Sequence, residues 1–145
     1  MNSLAPSWLS GRGPRRKSER GGNVGQILLL DDDPSVCELV PAMLAGEHTV
    51  TVAKDWTELS QQVFRKDFDL VLLDVNLPVV GGAKIAEVLQ KTSAKPLKII
   101  LFSAMDEAPL RQLACSVGAA GYLVKTLERK TLRSSLNKLL ALPAP

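Results

Sequence analysis

The chain has few cysteines and no long apolar run, and each scarcity excludes a class of protein. Two cysteines, Cys37 and Cys115, in 145 residues provide neither a disulfide framework nor the spacing of a zinc site. Both fall in helical patterns, so we expect small buried thiols in a reducing cytoplasm. No run approaches the ~18 apolar residues of a membrane span, and the N-terminus has no apolar core of signal-peptide length. We therefore expect a cytoplasmic protein that does not enter a membrane.

A strong charge of one sign is also lacking outside the N-terminus. The net charge is +3, yet residues 1–25 alone hold five basic residues against Glu19, which leaves about −1 for the rest. Residues 1–24 are rich in Gly, Ser, Pro and Arg, which predicts a disordered basic tail. No aromatic residues are interleaved with its basic residues, so contact with nucleic acid or an anionic surface is only weakly indicated. The domain that follows is expected to bind no nucleic acid directly.

From residue 26 onward, short apolar runs alternate with amphipathic segments, which predicts an α/β domain with a parallel sheet. Five strands and five helices fit the length without an internal repeat. The second strand, His48 to Ala53, is more polar and is expected near a sheet edge. We place the domain at residues 25–141 and regard residues 142–145, Leu-Pro-Ala-Pro, as a tail or the start of a linker. Right-handed crossovers favour a flavodoxin-like doubly wound (βα)5 three-layer sandwich with strand order 2-1-3-4-5.

Polar residues at fixed positions mark where several helices begin and end. Asp33 precedes a proline and is expected to cap the first helix. Asp55 and Glu58 have the spacing of a capping box for the second. Asp106 can cap the fourth helix, which Gly118 is expected to end.

Four apolar runs each end on a reactive polar side chain. Their ends are Asp31-Asp32-Asp33 after the first strand, Asp74 after the third, Ser103 after the fourth and Lys125 after the fifth. Ligands of open parallel sheets bind in the crevice outside the carboxyl ends of the strands. We therefore expect Asp31 and Asp32 to face Asp74, with Ser103 and Lys125 on its far side.

This combination of groups indicates a particular chemistry. Clustered carboxylates repel one another and raise each other's pKa, a conflict that a divalent cation removes. An all-oxygen ligand set suits Mg²⁺, with Mn²⁺ as an alternative, and does not suit zinc. Lys125 supplies a mobile positive charge at a distance, suited to a phosphoryl oxygen. Together the groups predict phosphoryl transfer onto a carboxylate, with Asp74 as the nucleophile.

The chain resembles the receiver domain of two-component response regulators. The match runs in order from about residue 26 to residue 141. The matching segments are Ile27 to Pro34, Asp69 to Pro78, Ser103-Ala104 and Gly118 to Lys125. The resemblance implies a phosphorelay signalling protein that is not an enzyme toward other substrates. Its Asp74 would accept a phosphoryl group from a sensor histidine kinase or a phosphotransfer protein.

The resemblance also implies a role for each residue of the site. Asp31, Asp32, Asp74 and the backbone carbonyl of Asn76 would hold Mg²⁺, and Ser103 and Lys125 would contact the phosphoryl oxygens. Tyr122 would act as the switch, turning inward when Ser103 moves toward the phosphate. That rearrangement would change the surface formed by the fourth helix, fifth strand and fifth helix, which would bind a downstream effector or a second copy of the chain.

Three positions depart from the usual receiver pattern. Thr126 stands where most receivers have a proline after the lysine, which leaves open whether the Lys125–Thr126 bond is cis or trans. Gly81 replaces a more usual acidic or polar residue, and Pro41 lies within the first helix. None of these departures removes a predicted site residue.

Several functional alternatives remain open at the level of sequence. A stand-alone regulator competes with the N-terminal receiver of a longer DNA-binding transcriptional regulator. A Mg²⁺-dependent phosphatase or phosphotransferase with an aspartyl nucleophile is less favoured, because such enzymes usually carry an Asp-x-Asp pair and need a cap or substrate pocket. A receiver-like module that no longer cycles phosphate is disfavoured by the intact Asp74 and Lys125.

Overall fold

The computed structural model of the chain describes residues 24–77, 81–92, 97–126 and 128–142. Strands and helices alternate along them as predicted. The strands are β1 (Gly25–Leu30), β2 (His48–Ala53), β3 (Leu70–Asp74), β4 (Ile99–Ser103) and β5 (Gly121–Val124). The helices are α1 (Pro34–Leu44), α2 (Trp56–Arg65), α3 (Gly82–Thr92), α4 (Glu107–Val117) and α5 (Arg129–Ala141). The predicted N-terminal tail lies outside the described residues except for Val24, and so do residues 143–145.

The five strands form one parallel sheet in the order β2-β1-β3-β4-β5. This confirms the predicted doubly wound topology and the edge position of β2. Leu30 pairs with Leu73, and Asp74 pairs with Phe102. Ser103 in turn pairs with Val124. The strands therefore end nearly level with one another, and the polar residues at those ends share one edge of the sheet.

Two separate hydrophobic clusters, one on each face of the sheet, make the fold a three-layer sandwich. The first cluster includes Leu28 and Val71 from the sheet and packs against α2, α3 and α4. The second includes Leu29 and Leu72 from the sheet and packs against α1 and α5. Adjacent strand residues thus face opposite layers, and both are buried. This explains why the strands read as continuous apolar runs.

Most of the predicted helix ends are confirmed. Asp33 Oδ1 accepts a hydrogen bond from the Ser35 amide at 2.9 Å. Asp55 Oδ1 accepts from the Glu58 amide, and the Glu58 carboxylate accepts from the amide of the residue before Asp55, each at 2.9 Å. Gly118 ends α4 in the left-handed region at φ 74°. Asp106 stands at the start of α4, but its side chain makes no capping hydrogen bond.

Other sequence expectations have mixed outcomes. The expectation of buried thiols is wrong for Cys115, which is exposed, while Cys37 is half-buried. Cys115 follows the buried Ala114, and one residue along a helix turns the side chain about 100° away from the core.

Pro41 lies inside α1 as predicted. The Lys125–Thr126 bond is trans, since the described residues contain no cis peptide.

Two buried polar side chains, His48 and Lys98, connect the end of the sheet opposite the acidic residues to α5. His48 Nδ1 accepts a hydrogen bond from the Gly25 amide at 3.0 Å, and its Nε2 lies 2.8 Å from Asn137 Oδ1. Since Nδ1 is the acceptor, Nε2 carries the proton and donates to Asn137. Lys98 Nζ donates to the carbonyl oxygens of Leu139 at 3.1 Å, of Leu140 at 2.9 Å, and of Leu142. These contacts hold the residue before β4 against the C-terminal end of α5.

Candidate functional site

Three carboxylates meet at the carboxyl edge of the sheet. Asp31 and Asp32 follow β1, and Asp74 ends β3 beside it. One oxygen from each lies within 4.8 Å of the other two. Asp31 and Asp74 are buried, whereas Asp32 is exposed. The structure thus brings together the three acidic residues that the strand ends single out.

Backbone amides orient the two buried carboxylates. Asp31 Oδ1 accepts a hydrogen bond from the Asp33 amide at 2.9 Å, and the Asp31 carbonyl accepts from Cys37 Sγ at 3.1 Å. Asp74 Oδ1 accepts from the Asn76 amide at 3.1 Å. Both carboxylates bond the amide two residues further on, so each is held by the turn that follows its own strand.

The ammonium group of Lys125 bridges the two buried carboxylates. Its Nζ lies 2.9 Å from Asp31 Oδ2 and 3.3 Å from Asp74 Oδ1. The sequence predicts a charge held at a distance, whereas the structure places it in direct contact. The Lys125 amide is fixed to the Ser103 carbonyl at 2.7 Å. The flexible side chain then passes over the Phe102 ring, with Nζ 5.5 Å from its centroid, and so reaches across β4 to β3 and β1.

Burial and the local charges shift two pKa values in this site. Burial raises the pKa of Asp31, and the Asp74 charge adds to it, although the Asp33 amide and Lys125 act in the opposite direction. Burial alone would lower the pKa of Lys125, but hydrogen bonding and ion pairing with Asp31, then with Asp74, raise it overall. One ammonium group faces three carboxylates, so the site keeps an excess of negative charge.

The donor set of this cluster fits a hard divalent cation. It offers only carboxylate oxygens, and the nearby Cys37 thiol is directed at a backbone carbonyl. Asp31 Oδ2 is buried, and its polar partner is Lys125 Nζ at 2.9 Å. Oxygen ligands with room for water are what Mg²⁺ prefers, and Mn²⁺ accepts the same set.

Three other predicted site residues, Ser103, Tyr122 and Asn76, lie around this cluster, and of these Asn76 contacts it through its backbone amide. Ser103 is fully buried one residue beyond the strand partner of Asp74, and its Oγ accepts from the Met105 amide at 3.1 Å. Tyr122 is half-buried, and its hydroxyl donates to Glu107 Oε2 at 2.9 Å. Asn76 is exposed. Glu107 was not predicted, because nothing in the spacing of an exposed glutamate at a helix start indicates a tyrosine partner 15 residues away.

A doubly wound α/β sandwich with an acidic cluster and a lysine at the carboxyl edge of its central strands is typical of phosphoryl-accepting signalling domains. The sequence pattern of the response regulator receiver domain matches residues 27–137. The chain belongs to this family and is a receiver domain of the two-component type. Among the described residues, no helix has both the length and the apolar character needed to cross a bilayer.

Known proteins of this family resemble the chain in sequence and in fold. The transcriptional regulatory protein ZraR of Salmonella typhimurium is 35% identical over 117 residues, which are 79% of this chain and 26% of ZraR. The chain therefore spans about a quarter of the length of this relative. The chemotaxis protein CheY4 of Vibrio cholerae superposes with a TM-score of 0.70 at 27% identity, covering 80% of this chain and 98% of CheY4.

A third similar protein bears on the acidic cluster. The receiver domain of the sensor histidine kinase PA1611 of Pseudomonas aeruginosa is 25% identical and superposes with a TM-score of 0.70, covering 82% of this chain and 99% of that domain. That structure is described as having a magnesium ion coordinated in its active-site cleft.

Proposed function

We propose that this receiver accepts a phosphoryl group on Asp74 from the phosphohistidine of a sensor kinase or phosphotransfer protein, in a Mg²⁺-dependent reaction. The observation that carries the proposal is the position of the Asp74 carboxylate. It lies between two further carboxylates on one side and Lys125 Nζ on the other, 3.3 Å away. The proposed nucleophile, the two further carboxylates that would bind a cation, and the positive charge of Lys125 therefore lie close together at the carboxyl edge of the sheet.

The transfer step needs little from the protein beyond positioning and charge compensation. A carboxylate oxygen of Asp74 forms a bond to phosphorus while the bond from phosphorus to the imidazole nitrogen breaks. The electron pair of that bond stays on the nitrogen. Lys125 exchanges a carboxylate contact for a phosphoryl oxygen, and the Ser103 hydroxyl donates to another. A bound Mg²⁺ would neutralise the charge gathered on the phosphoryl and carboxylate oxygens.

The ligands of that cation would be Asp31, Asp32, Asp74 and the backbone carbonyl of Asn76. The support is the all-oxygen set of three clustered carboxylates. The net reaction modifies the domain itself, and we propose no other substrate. The domain would catalyse only its own phosphorylation and dephosphorylation, as a cytoplasmic signalling protein.

Phosphorylation of Asp74 would be transmitted through Ser103 and Tyr122 to the face formed by α4, β5 and α5. In the present state the Tyr122 hydroxyl is bonded to Glu107 at the start of α4. A groove of about 510 Å³ lies on this face, lined in part by Tyr122, Val124, Thr131 and Lys138. A two-state shift of Tyr122 would reshape this groove, which is where an effector or a second copy of the chain would dock.

A second arrangement is favoured by the length of the relatives. ZraR, named a transcriptional regulatory protein, aligns through only 26% of its length. This supports the proposal that the present receiver is the N-terminal part of a longer DNA-binding regulator. Reading the gene beyond the codon for Pro145 tests this directly: an open reading frame with a DNA-binding domain supports it, and a stop codon contradicts it.

The central proposal is tested by mass spectrometry of the intact protein. Incubation with phosphoramidate and Mg²⁺ is expected to add one phosphoryl group, and Asp74→Asn is expected to abolish the adduct. The matched control is Asp33→Asn, because Asn also caps helices well and Asp33 serves α1 rather than the cluster. An undiminished adduct in Asp74→Asn, or no adduct in the unmodified protein, would contradict the proposal.

The cation assignment has its own test by calorimetry. Asp32→Ala is expected to weaken Mg²⁺ binding about tenfold or more, since it removes a ligand from a small set. Asp55→Asn, which changes an exposed helix cap elsewhere in the fold, is expected to bind Mg²⁺ as the unmodified protein does. Equal dissociation constants for Asp32→Ala and the unmodified protein would show that Asp32 is not a ligand.

A further inference from the structure

Gly82, the first residue of α3, packs directly on the backbone of Asp74. Its amide donates a hydrogen bond to the Val75 carbonyl at 3.1 Å, which folds the chain back onto the end of β3. The residue is buried. The start of α3 and the end of β3 are thus in backbone-to-backbone contact beside the proposed nucleophile.

No side chain fits at this position. A Cβ on Gly82 would lie 2.0 Å from the Asp74 carbonyl oxygen, 2.8 Å from its carbonyl carbon and 2.9 Å from Val75 Cα. These neighbours are backbone atoms, so no flexible side chain could rotate away to make room. The backbone of Gly82 does not have the positive φ seen at Gly46 and Gly118. The requirement for glycine at residue 82 is therefore one of space and not of conformation.

The peptide that Gly82 contacts also fixes the geometry of the site. Asp74 carries the carboxylate that lies 3.3 Å from Lys125 Nζ and accepts from the Asn76 amide. Any movement of the Asp74 peptide away from Gly82 would displace this carboxylate relative to Asp31 and Lys125. It would also displace the Asn76 carbonyl, which follows in the same turn.

We propose that Gly82 is a positioning residue for the phosphoryl-acceptor site. Its missing side chain lets α3 close on the Asp74 carbonyl, and this contact sets the place of the Asp74 carboxylate. The inference rests on the proposed function of Asp74. The sequence signal is the glycine pair Gly81-Gly82 after the β3 loop, which by itself indicates only a loop.

The neighbouring glycine provides a matched control. Gly81 is exposed, and a Cβ there would meet only the Val75 carbonyl oxygen, at an ordinary 3.7 Å. Gly81→Ala and Gly82→Ala add the same methyl group at adjacent positions. Only the second forces the backbones of residue 82 and Asp74 apart.

The experiment measures Mg²⁺ affinity by calorimetry, the rate of adduct formation with phosphoramidate at saturating Mg²⁺, and stability by urea unfolding. Gly82→Ala is expected to weaken Mg²⁺ binding about tenfold or more and to slow the saturated rate by about tenfold to a hundredfold. Gly81→Ala is expected to match the unmodified protein in both. A Gly82→Ala protein that loses stability but keeps both the affinity and the saturated rate would show a merely structural role and overturn the proposal.

An NMR titration of the unmodified protein with Mg²⁺ tests the positioning role of Gly82 even if the Gly82→Ala variant does not fold. The Gly82 amide is expected to shift with the same Mg²⁺ midpoint as the Asn76 amide, since both are tied to the Asp74 turn. A Gly82 amide that does not respond while Asn76 does would overturn the proposal. If the unmodified protein binds Mg²⁺ but forms no adduct, the proposed function fails, while the Mg²⁺ affinities of the two glycine variants still test the positioning role.

Discussion

The buried carboxylate of Asp31 illustrates how the site balances opposing effects. It accepts an amide hydrogen bond from Asp33 and pairs with Lys125, yet burial still raises its pKa above the usual 3.8. The charged form therefore costs folding free energy in the absence of a cation. The cost is present at pH values above the folded-state pKa, and it disappears as the pH falls below 3.8.

Asp31→Asn is expected to stabilise the metal-free protein at pH 7. The substitution removes the costly charge, and Lys125 keeps Asp74 as its partner. Urea unfolding in EDTA measures the effect, with Asp33→Asn as the control. The difference between Asp31→Asn and the unmodified protein should shrink as the pH is lowered toward 3.8. Added Mg²⁺ should stabilise the unmodified protein more than Asp31→Asn. If Asp31→Asn instead destabilises the metal-free protein at pH 7, the ion pair of Asp31 with Lys125 stabilises the fold by more than the burial of the Asp31 charge costs.

At the residue level, the sequence could predict which side chains meet but not how they touch. Asp31 and Asp74 were predictable because strand ends in a parallel sheet share an edge. The direct contact of Lys125 was not, because it depends on the path of a flexible side chain over Phe102. The need for glycine at residue 82 depends on a backbone contact that no local pattern encodes.

At the level of elements, the start of α5 is held by an unusual cap. The Glu128 carboxylate accepts from the Thr131 amide at 2.8 Å and also from the Thr131 hydroxyl. The hydrogen bonds from the hydroxyl and then from the amide of Thr131 lower the pKa of Glu128. The sequence did not indicate this cap, because glutamate is not among the residues that usually begin helices. The caps formed by Asp33 and Asp55 were predictable, because aspartate is among the residues that usually begin helices.

Glu128→Ala is expected to lower the melting temperature at pH 7, because the Thr131 amide loses its acceptor. The pKa of Glu128 is lowered from 4.5, so its contribution is fully present above pH 4.5 and is lost as the pH falls through the folded-state pKa. Thermal unfolding followed by circular dichroism at pH 7 and in acid checks this, with Glu38→Ala on the exposed face of α1 as a control. If the difference in melting temperature between Glu128→Ala and the unmodified protein is as large in acid as at pH 7, the charge of Glu128 has no role in the cap.

At the level of the whole molecule, the topology was the most predictable property. Continuous apolar runs separated by amphipathic segments leave few arrangements once crossovers must be right-handed. The way in which the C-terminal end of α5 is held was less predictable, because it depends on long-range contacts such as that of Lys98 with the Leu142 carbonyl.

Removal of residues 1–24 is expected to leave both stability and Mg²⁺ affinity unchanged. The three clustered carboxylates, Asp31, Asp32 and Asp74, lie within residues 27–136, and so do the buried residues of both hydrophobic clusters. Melting temperature and calorimetry of the 25–145 fragment against the full chain measure this. A fragment that melts earlier or binds Mg²⁺ more weakly would show that the basic tail is part of the domain.

The separation of the two hydrophobic clusters has a consequence for how the domain can diversify. Within the described part of the chain, no buried residue belongs to both clusters, so the sheet separates two layers that are packed independently. Substitutions in the α1–α5 layer are therefore expected to have little effect on the packing of the α2–α4 layer, and the reverse. The layers meet at the carboxyl edge, where the Asp74 peptide contacts α3 on one side and Lys125 reaches over from β5. Asp74 is therefore in contact both with α3 of one layer and with Lys125, whose side chain passes over Phe102 of the other.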